Sequence, residues 1–320
     1  MTLTALSFAL AALAVALAWP VPILLDRARW PSRAPALTLL LWQAIALAGG
    51  LSMIGSLVVF GLAPFGDSLP SAIATAVTGA FTWTWQDGFT VFHAAALVFG
   101  ALLFAHLTLS LIVTTTRTVR GVRRHRELLE LLSNPAPGDE TTRIVDDESP
   151  FAYCLPGMTD SVTVLSDGLI RQLTPTQLRA VVEHERAHLQ QRHNIVLTLF
   201  AAWAIALPWF PVATRARRSV ELLIEMLADD MARRTVPARD VAEAIKHIAV
   251  GSSTGGSHAA AIGAPAADDD ADESDTGRPL PAELRIRRLL APPEPLPIAG
   301  RFGLVAVSVL LVGVPTVAML

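Results

Sequence analysis

Apolar positions gather into four long runs separated by one extended polar region. The runs are about Leu3 to Leu25, Ala36 to Phe65, Phe89 to Thr116 and Phe302 to Leu320. Each approaches or exceeds the roughly 20 residues an α-helix needs to cross a hydrocarbon core. They predict four spanning helices rather than buried core helices. The first run lacks a basic leading segment and a small-residue cleavage site followed by polar chain, so it reads as a retained anchor.

The polar region alternates between short strand-like and longer helical patterns. Arg124 to Leu132 predicts a juxtamembrane helix stopped by the turn formers Ser133, Asn134 and Pro135. Phe151 to Gly157 and the β-branched segment Ser161 to Leu165 predict strands of a small sheet. Leu173-Thr174-Pro175-Thr176-Gln177 is a helix start, with Thr174 as cap, Pro175 at the first helical position and Gln177 completing a capping box. Leu178, Val181 and Val182 give that helix an apolar face. A second amphipathic helix runs from about Arg215 to Arg234. From Gly251 to Thr276 the chain turns to Gly, Ser, Ala and Asp, which cannot bury enough apolar surface to offset ordering and predicts a disordered loop. Ala282 to Ala291 is a short basic helix, whose Arg285, Arg287 and Arg288 are expected on a solvated face, against lipid headgroups or on the domain surface.

Composition agrees with membrane insertion. The 320 residues are 52% hydrophobic and 17% charged, with a mean hydropathy of +0.48. A net charge of −3 gives no basic surface for nucleic acid. The single cysteine, Cys154, excludes an internal disulfide and a cysteine-based metal site, and reads as a small core residue. Arginine sets the orientation. Arg27, Arg29 and Arg33 follow the first run, and Arg117, Arg120, Arg123, Arg124 and Arg126 follow the third, whereas the loop from Gly66 to Gly88 has no Lys or Arg. The amino terminus is therefore expected outside and the polar region in the cytoplasm. Arginine also flanks the apolar stretch Ile195 to Leu207, which is read as one arm of a helical hairpin. Its tip, Pro208-Trp209-Phe210-Pro211, is expected to reach the headgroup region with Trp209 as anchor.

The chemistry concentrates in His184-Glu185-Arg186-Ala187-His188. Two histidines at i and i+4 present their rings on one side of a helix, one turn apart, as a tetrahedral zinc ion requires. Glu185 lies beside them and can act on a water at the metal as a general base. A hydrolytic zinc needs a third protein ligand, and Glu225 sits on the next amphipathic helix. Asp229, one turn further, can accept a hydrogen bond from a ligating histidine. The plain alternative is a pair of solvated histidines and an acidic helix face. His193 is expected to be a polar helix residue, and His93 and His106 to face other helices.

His-Glu-x-x-His with a downstream Glu-x-x-Ala-Asp, preceded by Leu-Pro-Gly, a short strand and a Leu-Thr-Pro-x-Gln-Leu helix start, resembles the gluzincin membrane peptidases of the BlaR/MecR antirepressor type, with the HtpX-type proteases as relatives. The resemblance covers about Phe151 to Val250 closely, and the layout of three spans before and one after also fits. It implies Zn2+ held by His184, His188 and Glu225, with Glu185 as catalytic carboxylate and Asp229 supporting a ligand. It also implies a substrate-pairing strand, here Val162, Thr163 and Val164. Two departures stand out. The sequence ends at Leu320, where the sensor proteins continue into a penicillin-binding domain, so β-lactam sensing is not expected. The Lys-or-Arg then Asp pattern after the second histidine is replaced by Arg192-His193-Asn194.

The expected class is a mainly α, multispanning helical membrane protein carrying a cytoplasmic α+β zincin-like metallopeptidase domain. Residues 1–117 hold three spans, 118–299 the domain and 300–320 the fourth span. The expected partners are the lipid bilayer and a protein substrate, such as a DNA-binding repressor, with no direct binding of nucleic acid. Membrane-protein quality control and a non-catalytic receptor of the same fold are the competing functions. A reporter fused after Ser219 is expected to read as cytoplasmic; an external signal would mean that 195–207 crosses the bilayer.

Overall fold

The computed structural model describes residues 2–84, 86–136, 139–155, 161–208, 211–254 and 281–319. In chain order its elements are α1 (Leu3–Ala18), α2 (Pro20–Arg27), α3 (Pro35–Leu62), α4 (Leu69–Thr82), α5 (Val91–Leu132), β1 (Asn134–Ala136), β2 (Asp139–Val145), β3 (Ala152–Leu155) and β4 (Val162–Ser166). They continue with α6 (Asp167–Gln172), α7 (Pro175–Gln190), α8 (His193–Ala206), α9 (Pro211–Ala232), α10 (Ala238–Thr254), α11 (Pro281–Leu290) and α12 (Ile298–Ala318). The chain forms two compact units. One is Met1–Leu111, Trp203–Ala216 and Leu296–Leu320, and the other is Ile112–Ala202 and Arg217–Pro295.

The first unit is built on α3, against which α1 and α12 pack. Pro20 cannot continue the hydrogen-bond ladder of α1, so the chain restarts there as α2. Together they form one apolar stretch, Leu3–Arg27, that with Pro35–Phe65, Val91–Leu132 and Ile298–Ala318 is long and apolar enough to cross a membrane. Leu3, Leu10, Val59, Leu62, Phe65 and Leu69 form a core between the amino-terminal helices. Elsewhere the apolar side chains face outward. Phe92, Phe99, Leu102 and Phe104 on α5 and Phe302, Val309 and Leu310 on α12 are all exposed, a surface suited to hydrocarbon and costly in water. α8, with 14 residues, is too short to cross. Its end packs among the spans of this unit. A Cβ on Gly49 or Gly50 of α3 would come within 3.7 Å or 3.6 Å of the Trp203 ring, and His106 Nε2 lies 3.0 Å from the Ala206 carbonyl at the last turn of α8. His106 therefore has a specific partner. Trp209, the expected anchor, lies outside the described residues.

The second unit holds a four-stranded sheet in the order β1-β2-β4-β3. β2 and β4 run parallel, and the two outer pairings are antiparallel. The expected turn at Asn134 and Pro135 is instead strand β1, tolerable for proline because β1 is at the edge. α7 lies between the sheet and α10. Leu165, Leu169, Leu173, Val181 and Ala244 form one core, and Ala180, Ala232, Val236, Val241, Ile245 and Leu289 form a second. Burying a side chain of Val or Leu size contributes about 1.5–3 kcal/mol, so these two clusters fix both faces of α7. α10 extends through Thr254, so the first residues of the expected Gly251 to Thr276 loop are helical; residues 255–280 lie outside the described residues.

The turn from β4 into α6 brings Gly168 against the chain at Asp147 and Glu148. Its amide donates to the Asp147 carbonyl at 2.9 Å, and a Cβ there would sit 2.0 Å from the Glu148 carbonyl oxygen. Gly→Ala in a helix ordinarily stabilises by up to about 1 kcal/mol. Here the backbone clash reverses the sign, and Gly168→Ala is expected to destabilise by about 2–3 kcal/mol, read as a lowered thermal midpoint of the purified protein.

Candidate functional site

Both halves of the capping box at the start of α7 are formed: the Gln177 amide donates to Thr174 Oγ1 at 3.3 Å, and the Thr174 amide to Gln177 Oε1 at 3.0 Å. Gln177 Nε2 also donates to Glu243 on α10 at 3.0 Å. With its start anchored, α7 presents His184 and His188 one turn apart, facing Glu225 of α9. The two Nε2 atoms are 3.2 Å apart. His184 Nε2 lies 3.3 Å from Glu225 Oε2, and His188 Nε2 lies 3.4 Å from Glu225 Oε1.

These spacings test whether the residues suit a metal. Ligands about 2.0–2.1 Å from a tetrahedral centre lie about 3.3–3.4 Å from one another, and the three observed edges match. His184, His188 and Glu225 thus form a group that could hold a metal ion. His184 marks the same place by its charge. Burial opposes a proton on its ring, but contacts with Asp229 and Glu225 outweigh burial and raise its pKa to about 10. Without a metal, a proton occupies the spot a cation would take. Glu225 behaves conversely: burial disfavours its charge, yet His184 and the Arg285 guanidinium hold it well below the usual carboxylate range.

Behind the three stands a set of buried supports. Asp229, 1% exposed, puts Oδ1 3.0 Å from His184 Nδ1, close but off the axis of a well-aligned hydrogen bond. Arg285 of α11 forks onto the same carboxylate, Nε to Oδ2 at 2.9 Å and Nη2 to Oδ1 at 2.7 Å. Its third nitrogen, Nη1, reaches Glu225 Oε2 at 2.7 Å. One turn on, Arg288 forks onto Asp230 at 2.9 Å and 2.7 Å. Arg285 and Arg288 therefore turn inward onto the domain, the alternative to a solvated or lipid-facing role, while Arg287 stays exposed. The pattern of three arginines on a short helix carried no sign of which face would be buried.

His193 is a polar helix residue outside the candidate ligand group, as expected, but a buried one. The helix that carries His188 ends at Gln190. Arg192 takes a left-handed conformation, φ 51°, and the chain turns to start α8 at His193. His193 is 1% exposed, and its ring stands nearly perpendicular to that of His188, at 83°. Burial lowers the pKa of each to about 4.

Glu185 sits next to the ligands on the side of β3. Burial of its carboxyl pushes its pKa up to about 7, partly offset by His184, and the Cys154 amide donates to it. Val162, Thr163 and Val164, the expected substrate strand, lie on β4, which is paired with β2 on one side and β3 on the other. An interior strand has no free backbone edge for a substrate, so this assignment is corrected. β3 is the edge strand next to β4. The Ser166 amide donates to the Phe151 carbonyl, which places Tyr153 in phase with the inward-bonding residues and turns the peptide groups of Ala152 and Cys154 outward. Cys154 is a half-buried thiol 3.3 Å from Thr163 Oγ1, its pKa pushed up to about 11 by burial, which suits an inert residue.

Residues 123–229 match the model of Peptidase family M48. The match supports a metallopeptidase of the M48 family in general, and M48 peptidases are zinc-dependent. It spans β1 through β4, α7 and the part of α9 that carries Glu225 and Asp229, but ends before α11. No curated protein and no solved structure gives a significant match.

Arg285 lies beyond the matched segment, yet Asp229 depends on it for charge balance. Arg285→Ala leaves a buried carboxylate without its strongest partner and is expected to destabilise the protein by about 3–5 kcal/mol, measured by thermal or denaturant unfolding. Arg285→Lys should recover only part of this, because a single ammonium cannot reproduce the planar fork.

Proposed function

We propose that the chain is an integral-membrane zinc metalloendopeptidase in which His184, His188 and Glu225 hold the metal and Glu185 is the catalytic base. The observation that carries this reading is the convergence of two histidine nitrogens and a carboxylate at tetrahedral spacing, with a second, buried carboxylate beside them. When bound, zinc supplies a Lewis acid that polarises a peptide carbonyl and acidifies water. The protein's own part follows from position. Glu185 accepts a proton from the attacking water and returns one to the departing amine. Asp229 and Arg285 hold His184 and Glu225 in place. The outward peptide groups of Ala152 and the outward carbonyl of Cys154, whose amide is held by Glu185, bond an extended segment of substrate along β3, adding a strand to the sheet beside the base.

The active-site domain faces the cytoplasm in this reading, on the arginine distribution, and its substrate is a cytosolic or membrane-proximal protein. The resemblance to antirepressor peptidases favours regulated cleavage of a DNA-binding repressor. Comparing proteomes of cells that express the native chain or Glu185→Gln identifies the substrate as the protein that accumulates in the variant.

Glu185→Gln keeps the shape of the side chain but cannot take a proton. It is expected to retain one zinc per chain and to lose peptidase activity by several orders of magnitude, whereas His184→Ala, His188→Ala and Glu225→Ala lose the metal. Elemental analysis and a cleavage assay on the same preparations separate the two effects. Stoichiometric zinc in Glu225→Ala would remove Glu225 from the ligand set, and full activity in Glu185→Gln would end the peptidase reading.

A further inference from the structure

A histidine can ligate a metal through Nε2 only if that nitrogen carries no proton, so in the neutral ring the proton must reside on Nδ1. What holds it there differs between His184 and His188. His184 turns Nδ1 toward a carboxylate, Asp229. Near His188 Nδ1, the group within hydrogen-bond distance is a second imidazole: His193 Nδ1, at 3.1 Å. The other nitrogen of His193, Nε2, lies 2.9 Å from Gln191 Oε1.

The direction of this chain follows from its far end. Gln191 Oε1 is an acceptor, so His193 Nε2 carries the proton. In the neutral ring His193 Nδ1 is then bare and accepts, so His188 Nδ1 donates to it. His188 Nε2 is left free and faces His184 and Glu225. We propose that His193, oriented by Gln191, is a positioning residue that fixes the tautomer and ring angle of His188 for metal binding. This rests on the metallopeptidase reading above and adds the residue that supports its second histidine.

Two further observations suit this role. His193 is 1% exposed at the first position of α8, so its polar ring is buried at a helix start where solvent would accommodate it at no cost. The turn that delivers it uses a left-handed non-glycine residue, Arg192, a conformation that costs about 1 kcal/mol or more and persists where the surroundings demand it.

The test measures zinc affinity of the purified full chain by competition with a chromophoric chelator, and the visible absorption of the cobalt-substituted protein. His193→Phe keeps the volume and removes the acceptor; His193→Asp restores an acceptor. The inference expects affinity about 10–100-fold weaker in His193→Phe with an altered cobalt spectrum, and recovery to within a few-fold of native in His193→Asp. Gln191→Ala, an exposed substitution that leaves the buried ring in place, is expected to weaken binding several-fold, and it serves if His193→Phe fails to fold. Native affinity and spectrum in His193→Phe or, if that variant does not fold, in Gln191→Ala, with zinc lost in His184→Ala, would overturn this inference alone. Absence of zinc binding by the native chain would overturn the metallopeptidase reading and this inference with it.

Discussion

Asp229 is a carboxylate with 1% exposure, and a charge that deep is tolerable only when paired and hydrogen-bonded. Meeting that requirement organises the second unit around the site. Arg285 must reach Asp229 from α11, a helix that follows the site only after residues 255–280, and Arg288 doubles the attachment at Asp230. With α11 drawn onto α9, Arg285 has a nitrogen left for Glu225. Leu289 enters the core shared by α7 and α10. The polar contact sets where α11 sits, and the apolar contact covers it. Asp229 in turn faces His184, so the carboxylate proposed to support the metal site is the same group that recruits a distant helix.

Much of this was legible in the sequence because it depends on local rules. The Thr174-Pro175-Gln177 start, the i and i+4 histidines and the apolar spans are each properties of a few neighbouring residues, and α7 forms as they require. Strand β1 was hidden because proline and asparagine signal turns, and only pairing with β2 holds them in a strand. The strand expected to pair with substrate is interior for a related reason. Val162 to Val164 have high strand propensity because they form the interior strand β4, whereas the open edge belongs to β3, which the β-branched pattern does not mark. Arg285 and His193 were missed as site residues because their partners are set by tertiary packing. A left-handed arginine at position 192 leaves no trace in a pattern of helix-forming residues.

The two histidines proposed as ligands are supported unequally, and charge balance explains how such a site stays tolerable. Glu225 and Asp229 carry two negative charges against the single positive charge of Arg285, and the proton on His184 makes the metal-free cluster neutral. A divalent cation in the place of that proton over-balances the cluster by one positive charge, which the carboxylate of Glu185 cancels. A second carboxylate behind His188, matching Asp229 behind His184, would bring the buried set to a net negative charge. His193 is a support that adds no charge. It can orient His188 through one hydrogen bond, with the exposed amide of Gln191 as a polar anchor beyond, and so it leaves the charge balance among Arg285, Glu225 and Asp229 undisturbed.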